Sequence, residues 1–72
     1  MSEWIDARHE VPPEAEQVLV IATLNVAGTE IENYALAFYT REGWILEDLD
    51  QESLVGVRYW IPLPDMPEEV NL

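Results

Sequence analysis

The stretch EQVLVIATL, residues 16 to 24, contains the longest apolar run of the chain and decides its fold class. It is rich in valine, leucine and isoleucine, and apolar side chains occupy both sets of alternating positions. Val18 and Val20 point to one side, whereas Leu19 and Ile21 point to the other. This pattern predicts a β-strand that is buried on both faces.

Turn signals and further apolar segments extend this strand into a small sheet. NVAGT, residues 25 to 29, predicts a turn in which Gly28 takes a positive φ. Residues 31–39 then form the antiparallel hairpin partner of the first strand. A second tight turn precedes a short strand at residues 44–46, and residues 55–61 form a fourth. We therefore predict a mainly β fold, a small four-stranded antiparallel meander with little helix.

The fourth strand, VGVRYWI, ends in a run of prolines. Its alternation predicts one face of Val55, Val57, Tyr59 and Ile61, and an opposite face of Arg58 and Trp60. Pro62 and Pro64 end the strand because proline has no amide donor for the ladder. The proline-bearing segment VPPEAEQ, residues 11–17, lies near the other end of the chain. We predict that both proline-rich segments pack on the sheet.

Length and composition bound the class of protein. With 72 residues, of which 49% are hydrophobic, the chain is predicted to form one small domain over residues 1–72. The first ten residues carry neither a basic start nor an apolar run, and VLVIA is too short to cross a bilayer. These features predict a soluble, cytoplasmic protein that does not bind membranes.

The charge balance is the most unusual property of the sequence. Fifteen acidic residues oppose Arg8, Arg41 and Arg58, there is no lysine, and the net charge is -12. Solubility is one interpretation of such a charge, and attraction to a basic partner is the other. Three arginines cannot neutralise a nucleic-acid backbone against this background, so direct nucleic-acid binding is not expected.

The order of aromatic and proline landmarks resembles the domain-of-unknown-function 551 family, which is common in bacteriophages and prophages. The matching positions are Trp4-Ile5, Pro12 or Pro13, Val18-Leu19-Val20, Ala37-Phe38-Tyr39, Gly43-Trp44, Tyr59-Trp60-Ile61-Pro62-Leu63-Pro64 and Pro67. Family members often carry Thr-His-Trp where this chain has Arg58-Tyr59-Trp60, which removes a histidine that would have suggested a ligand role. The resemblance implies a phage or prophage setting but no common activity.

Catalytic and metal-binding patterns are not recognisable. His9 is the only histidine, and Glu10 is its only adjacent acid, so a positioned general base is not expected. Asp48, Asp50 and Glu52 alternate like the first ligands of a calcium loop. The sixth position of that loop is Ser53 instead of glycine, however, and the twelfth is Tyr59 instead of glutamate. We predict no enzymatic activity, no metal site and no cofactor.

The acidic clusters provide the functional hypothesis. EDLDQES, residues 47–53, is a loop or one helical turn, and an extended loop would align its acids in a row. We predict that the chain inhibits a basic, nucleic-acid-binding host protein, such as a CRISPR effector, by imitating a nucleic-acid backbone. The predicted contacts are Glu47, Asp48, Asp50 and Glu52, followed by Asp65, Glu68 and Glu69.

The alternative function is a self-associating structural or accessory phage module. Val57, Tyr59 and Trp60 would then lie on an edge strand that pairs with another copy as a homodimer.

Overall fold

Residues 3–64, the part of the chain that the computed structural model describes, form a single five-stranded antiparallel sheet with almost no helix. The strand order across the sheet is β1-β5-β2-β3-β4. The strands are β1 (Ile5–Asp6), β2 (Gln17–Val26), β3 (Thr29–Thr40), β4 (Gly43–Leu46) and β5 (Leu54–Pro62). A 3-10 turn, Gln51–Ser53, lies between β4 and β5. In this part of the chain, no helix has the length and apolar character needed to cross a bilayer.

The predicted meander is wrong in its last step. β2 pairs with β3 along its whole length, but β5 returns to the opposite edge of β2 and does not pair with β4. β1 adds a fifth strand by pairing Ile5 with Trp60 and Asp6 with Tyr59. β2 is therefore the central strand of the sheet, with β5 on one edge and β3 on the other. β4, with four residues, is also too short to cover the nine of β5.

The core lies on one face of the sheet, which we call the core face. Its fully or nearly fully buried side chains are Val18, Val20, Ala22, Leu24, Ala35, Ala37, Leu46 and Trp60. The segment before β2 crosses this face: Pro12 is buried, and the Trp60 indole Nε1 donates to the Glu10 carbonyl at 2.8 Å. Ala15 N also donates to Tyr39 O at 2.9 Å.

Two register shifts in β5 change which side chains face the core. Tyr59 pairs with Ile21 and Val57 pairs with Ala22, so Arg58 is an extra residue in a β-bulge. The bulge resets the alternation and places Val57 on the core side with Trp60. The prediction that Val57 and Tyr59 share a face is therefore wrong. Tyr59 and Ile61 lie on the opposite face, which we call the outer face.

The β2–β3 turn contains a conformational strain that can be relieved. Gly28 has φ 85°, which confirms the sequence prediction, and Ala27 has φ 53°. Two positive φ values in a two-residue hairpin loop define a type I′ turn, which favours Asn-Gly.

We expect Ala27→Asn to raise the free energy of unfolding by about 1 kcal/mol, because asparagine tolerates the left-handed region better than alanine. Urea unfolding followed by far-UV circular dichroism measures the change. Ala27→Val is the control and should destabilise, since a β-branched residue is poorly accommodated at positive φ. Equal stabilities of the three proteins would contradict the assignment of strain to Ala27.

Candidate functional site

The arginines of the chain are occupied by carboxylates outside the 47–53 loop. The ion pairs are Arg8–Asp6, Arg41–Glu14 and Arg58–Glu32, with N–O distances of 2.8, 3.8 and 2.6 Å. Within residues 3–64, no carboxylate of the loop forms an ion pair with an arginine or with His9. The four loop acids therefore keep their charge available to an external partner.

Gln51 attaches the loop to the free edge of β4, the edge that does not pair with β3. Its Oε1 accepts a hydrogen bond from Leu46 N at 2.7 Å, and its Nε2 donates to Trp44 O at 2.9 Å. The side-chain amide thus satisfies the backbone groups that a neighbouring strand would otherwise satisfy. Leu49 is half-buried and packs against the core. These contacts attach the loop to the sheet at two points, Gln51 and Leu49.

Asp50 gives the loop its shape. Its carboxylate accepts hydrogen bonds from Glu52 N at 3.1 Å and from Ser53 Oγ at 3.4 Å, so it caps the 3-10 turn. The loop is consequently a bend followed by one helical turn. The row of alternating charges that an extended loop would form is not present. Asp48 and Glu52 are exposed side chains on this compact turn.

Glu47 lies where the loop leaves the sheet. Its backbone N donates to Leu36 O at 2.9 Å, which prolongs the pairing of β3 beyond β4. Its carboxylate accepts a short hydrogen bond from Gln17 Nε2. Gln17 is a neutral partner, so this bond orients the Glu47 carboxylate without cancelling its charge. Glu47 therefore connects the acidic loop to the outer face.

The second set of predicted contacts, Asp65, Glu68 and Glu69, lies outside the described residues. Gln51 is the residue that sequence reasoning missed. The Gln51 side chain binds backbone groups of β4, five and seven residues earlier in the chain. Nothing in the sequence of the acidic loop indicates this contact. Asp50, by contrast, precedes a short turn in a position that aspartate prefers as a cap, and this signal could have been found.

The N-terminal histidine lies on the surface beside an engaged carboxylate. His9 Nε2 is 3.9 Å from Asp6 Oδ2. Arg8 donates to the same carboxylate from its backbone N, its Nε and its Nη2 at 2.8–3.1 Å. These hydrogen bonds hold the pKa of Asp6 well below its usual range, so this carboxylate is a poor proton acceptor. Across residues 3–64, no group of three or more acidic or histidine side chains is arranged to bind a metal ion.

No family model matches the chain, and no curated protein or solved structure matches it. The resemblance to the domain-of-unknown-function 551 family therefore stays a prediction.

Proposed function

We propose that the chain is a non-enzymatic, acidic phage-type inhibitor that acts in the cytoplasm of a bacterial host. Its target is a basic protein or complex that binds nucleic acid, such as a CRISPR effector or another defence enzyme. The chain occupies the cationic groove of that target in place of the nucleic acid. The observation that carries this proposal is the fixed loop, whose four carboxylates have no cationic partner in residues 3–64.

The loop geometry supports binding by a preorganised surface. Gln51 and Leu49 already hold the loop, and Asp50 already caps its turn. A partner would therefore not have to order this segment, and ordering costs about 0.5–1.5 kcal/mol for each immobilised flexible side chain. The compact turn presents its carboxylates as a cluster. In this proposal the chain imitates the charge density of a phosphate backbone and not its extended row of charges.

The net charge of -12 supports fast association with a cationic groove. A field of this kind steers the encounter and is weakened by salt, because ions screen the attraction beyond a Debye length of about 8 Å at physiological ionic strength. Asp65, Glu68 and Glu69 follow shortly after the last described residue, Pro64, and provide the second set of contacts in this proposal.

The test replaces the four loop acids by their amides: Glu47→Gln, Asp48→Asn, Asp50→Asn and Glu52→Gln. We expect at least a tenfold loss of affinity, or about 1.4 kcal/mol, because the contacts lose their charge while an asparagine in place of Asp50 can still cap the turn. Capture from a host lysate at low and at high salt, followed by a defence-inhibition assay, measures the effect.

The matched control changes Glu3, Glu16, Glu30 and Glu42 to glutamine, which removes the same total charge. These acids lie outside the loop and form no ion pair within residues 3–64. This control should lose much less affinity than the loop variant. The proposal fails if the wild-type chain captures no basic or nucleic-acid-binding protein at low salt. Equal losses in the two variants would show that net charge, and not the loop, determines binding.

A further inference from the structure

The outer face of the sheet is largely apolar along three rows of side chains. The first row contains Phe38 and Ile45 together with the polar, exposed Gln17 of β2. The strand register then aligns Leu19 with Leu36 and Ile61, and Ile21 with Tyr34 and Tyr59. The next row consists of Thr23, Gly56 and Glu32 and forms a polar border. The apolar patch is therefore continuous across four strands and has a defined end.

Little of the described chain covers this patch. Its eight side chains are half-buried or exposed, and Tyr34 and Ile45 are 64% and 43% exposed. Within residues 3–64, the residue seen to cross it is Trp4, whose ring centroid is 6.1 Å from that of Tyr34. The segment before β2 and the half-buried Leu49 pack on the core face instead.

The central strand shows the imbalance most clearly. Val18 and Val20 on the core face are completely buried, whereas Leu19 and Ile21 on the outer face are only half-buried. The sequence of β2 is apolar at both sets of positions, as in a strand covered on both faces. The outer face therefore has the composition of a buried surface, but residues 3–64 do not bury it.

The charges around the patch are arranged at its rim. Two of the three arginines flank the β5 side: Arg8 binds Asp6, and Arg58 binds Glu32 across the polar border. Glu47 lies on the opposite side, beside Leu36. An uncharged centre with aromatic residues, and arginines at the edge, is the composition of a protein–protein interface.

We propose that a second copy of the chain packs its outer face on this one, which produces a two-layer β-sandwich dimer. A two-fold axis parallel to the strands places the β5 side of each copy over the β4 side of the other. Arg8 and Arg58, each already paired with a carboxylate of its own copy, then face the side of the second copy that carries Glu47.

The size of the patch agrees with such a dimer. From strand spacing and rise, the three rows and four strands span about 20 Å by 20 Å. A dimer that covers this area and Trp4 in both copies would bury on the order of 1,000 Å² of solvent-accessible surface in total. This is about the smallest area found in specific protein–protein interfaces. Two sheets packed face to face would lie about 10 Å apart, with side chains interdigitated.

Salt distinguishes this inference from the proposed function. Each copy carries a net charge of -12, so the copies repel, and added salt should strengthen the dimer. Binding to a basic target should instead weaken with salt. The dimer also needs no host partner, so either proposal can fail while the other holds.

Sedimentation equilibrium of the full chain, from dilute to concentrated solution and at low and high salt, tests the dimer. We expect the mass to rise from 8.3 kDa towards twice that value as protein and salt increase. The double variant Tyr34→Glu, Ile45→Glu should raise the dissociation constant at least tenfold. The control, Ile31→Glu with Val55→Glu, adds the same charge at residues that are 43% and 55% exposed and should keep the dimer.

A measurement on the wild-type chain alone tests the dimer even if a variant fails to fold. The midpoint of urea unfolding should rise with protein concentration if folding and dimerisation are coupled. A chain that stays at 8.3 kDa under all conditions overturns the inference. Equal dissociation of the two double variants overturns it as well. A third outcome would also overturn it: a dimer that forms only in a variant without residues 65–72. That segment would then be what covers the outer face.

Discussion

Trp60→Ala should lower the free energy of unfolding by about 3–5 kcal/mol, the cost of removing a large buried aromatic side chain. Stabilities of roughly 0.05–0.15 kcal/mol per residue are typical, which gives roughly 4–11 kcal/mol for a domain of this length. The substitution should therefore remove a large share of the stability and lower the unfolding midpoint clearly. The effect is large because Trp60 is 4% exposed and its strand position lies between Ile5 of β1 and Val20 of β2.

The indole also binds the segment that covers the core face. Its Nε1 donates to the Glu10 carbonyl at 2.8 Å, which connects residues fifty positions apart. Trp60→Phe keeps most of the ring but removes this donor and leaves the carbonyl without its partner. We expect this variant to lose about 1–3 kcal/mol, less than Trp60→Ala.

Urea unfolding followed by far-UV circular dichroism measures both variants. The chain offers a matched control in Trp4→Ala, because Trp4 is 37% exposed and lies on the outer face. This control should be clearly less destabilised than Trp60→Ala. If the two alanine variants are equally stable, the central role of Trp60 in the core is wrong.

Gln51→Met should destabilise the protein by about 1–3 kcal/mol, because methionine keeps the length of the side chain but makes neither hydrogen bond. The amide of Leu46, a buried residue, would lose its acceptor, and Trp44 O would lose its donor. The acidic loop would also lose its main attachment to β4. We therefore expect weaker target binding in this variant although every carboxylate is retained.

Amide hydrogen exchange at Leu46, together with urea unfolding, measures this effect. Gln17→Met is the matched control, because Gln17 is exposed and its side chain binds only the Glu47 side chain in the described residues. Leu46 should exchange faster in Gln51→Met and at the wild-type rate in the control. Unchanged exchange in both variants would refute the attachment through Gln51.

Local patterns predicted the hairpin and the core face of the sheet. The burial of Val18 and Val20 and the positive φ of Gly28 are confirmed, because each depends on neighbouring residues alone. The predicted burial of the other face of β2 is not, since Leu19 and Ile21 are only half-buried in the described residues. A two-residue period is sufficient to assign Val18 and Val20 to one face. The position of the acidic loop between two strands was predicted for the same reason.

The strand order and the faces of β5 could not be predicted in this way. Pairing of β5 with β2 depends on competition between distant strands, and no local signal distinguishes it from pairing with β4. The bulge at Arg58 reversed the face predicted for Val57. Gly56 lies two residues earlier, at the second register shift, and a glycine inside a strand is a bulge signal that could have been used. β1 is only two residues long, so its apolar pattern was too short to count as a strand. The predicted edge position of Tyr59 and Trp60 is consequently wrong, since β1 covers both.

The position of β5 beside β2 also determines the order of events during synthesis. The hairpin of β2 and β3 can close as soon as it is made, but the second edge of β2 waits until residues 54–62 have been translated. Pairings between distant segments form slowly, and an apolar edge left open in the meantime can join another nascent chain. We expect the 15 acidic residues, against three arginines, to repel such incomplete chains from one another until the last strand is made.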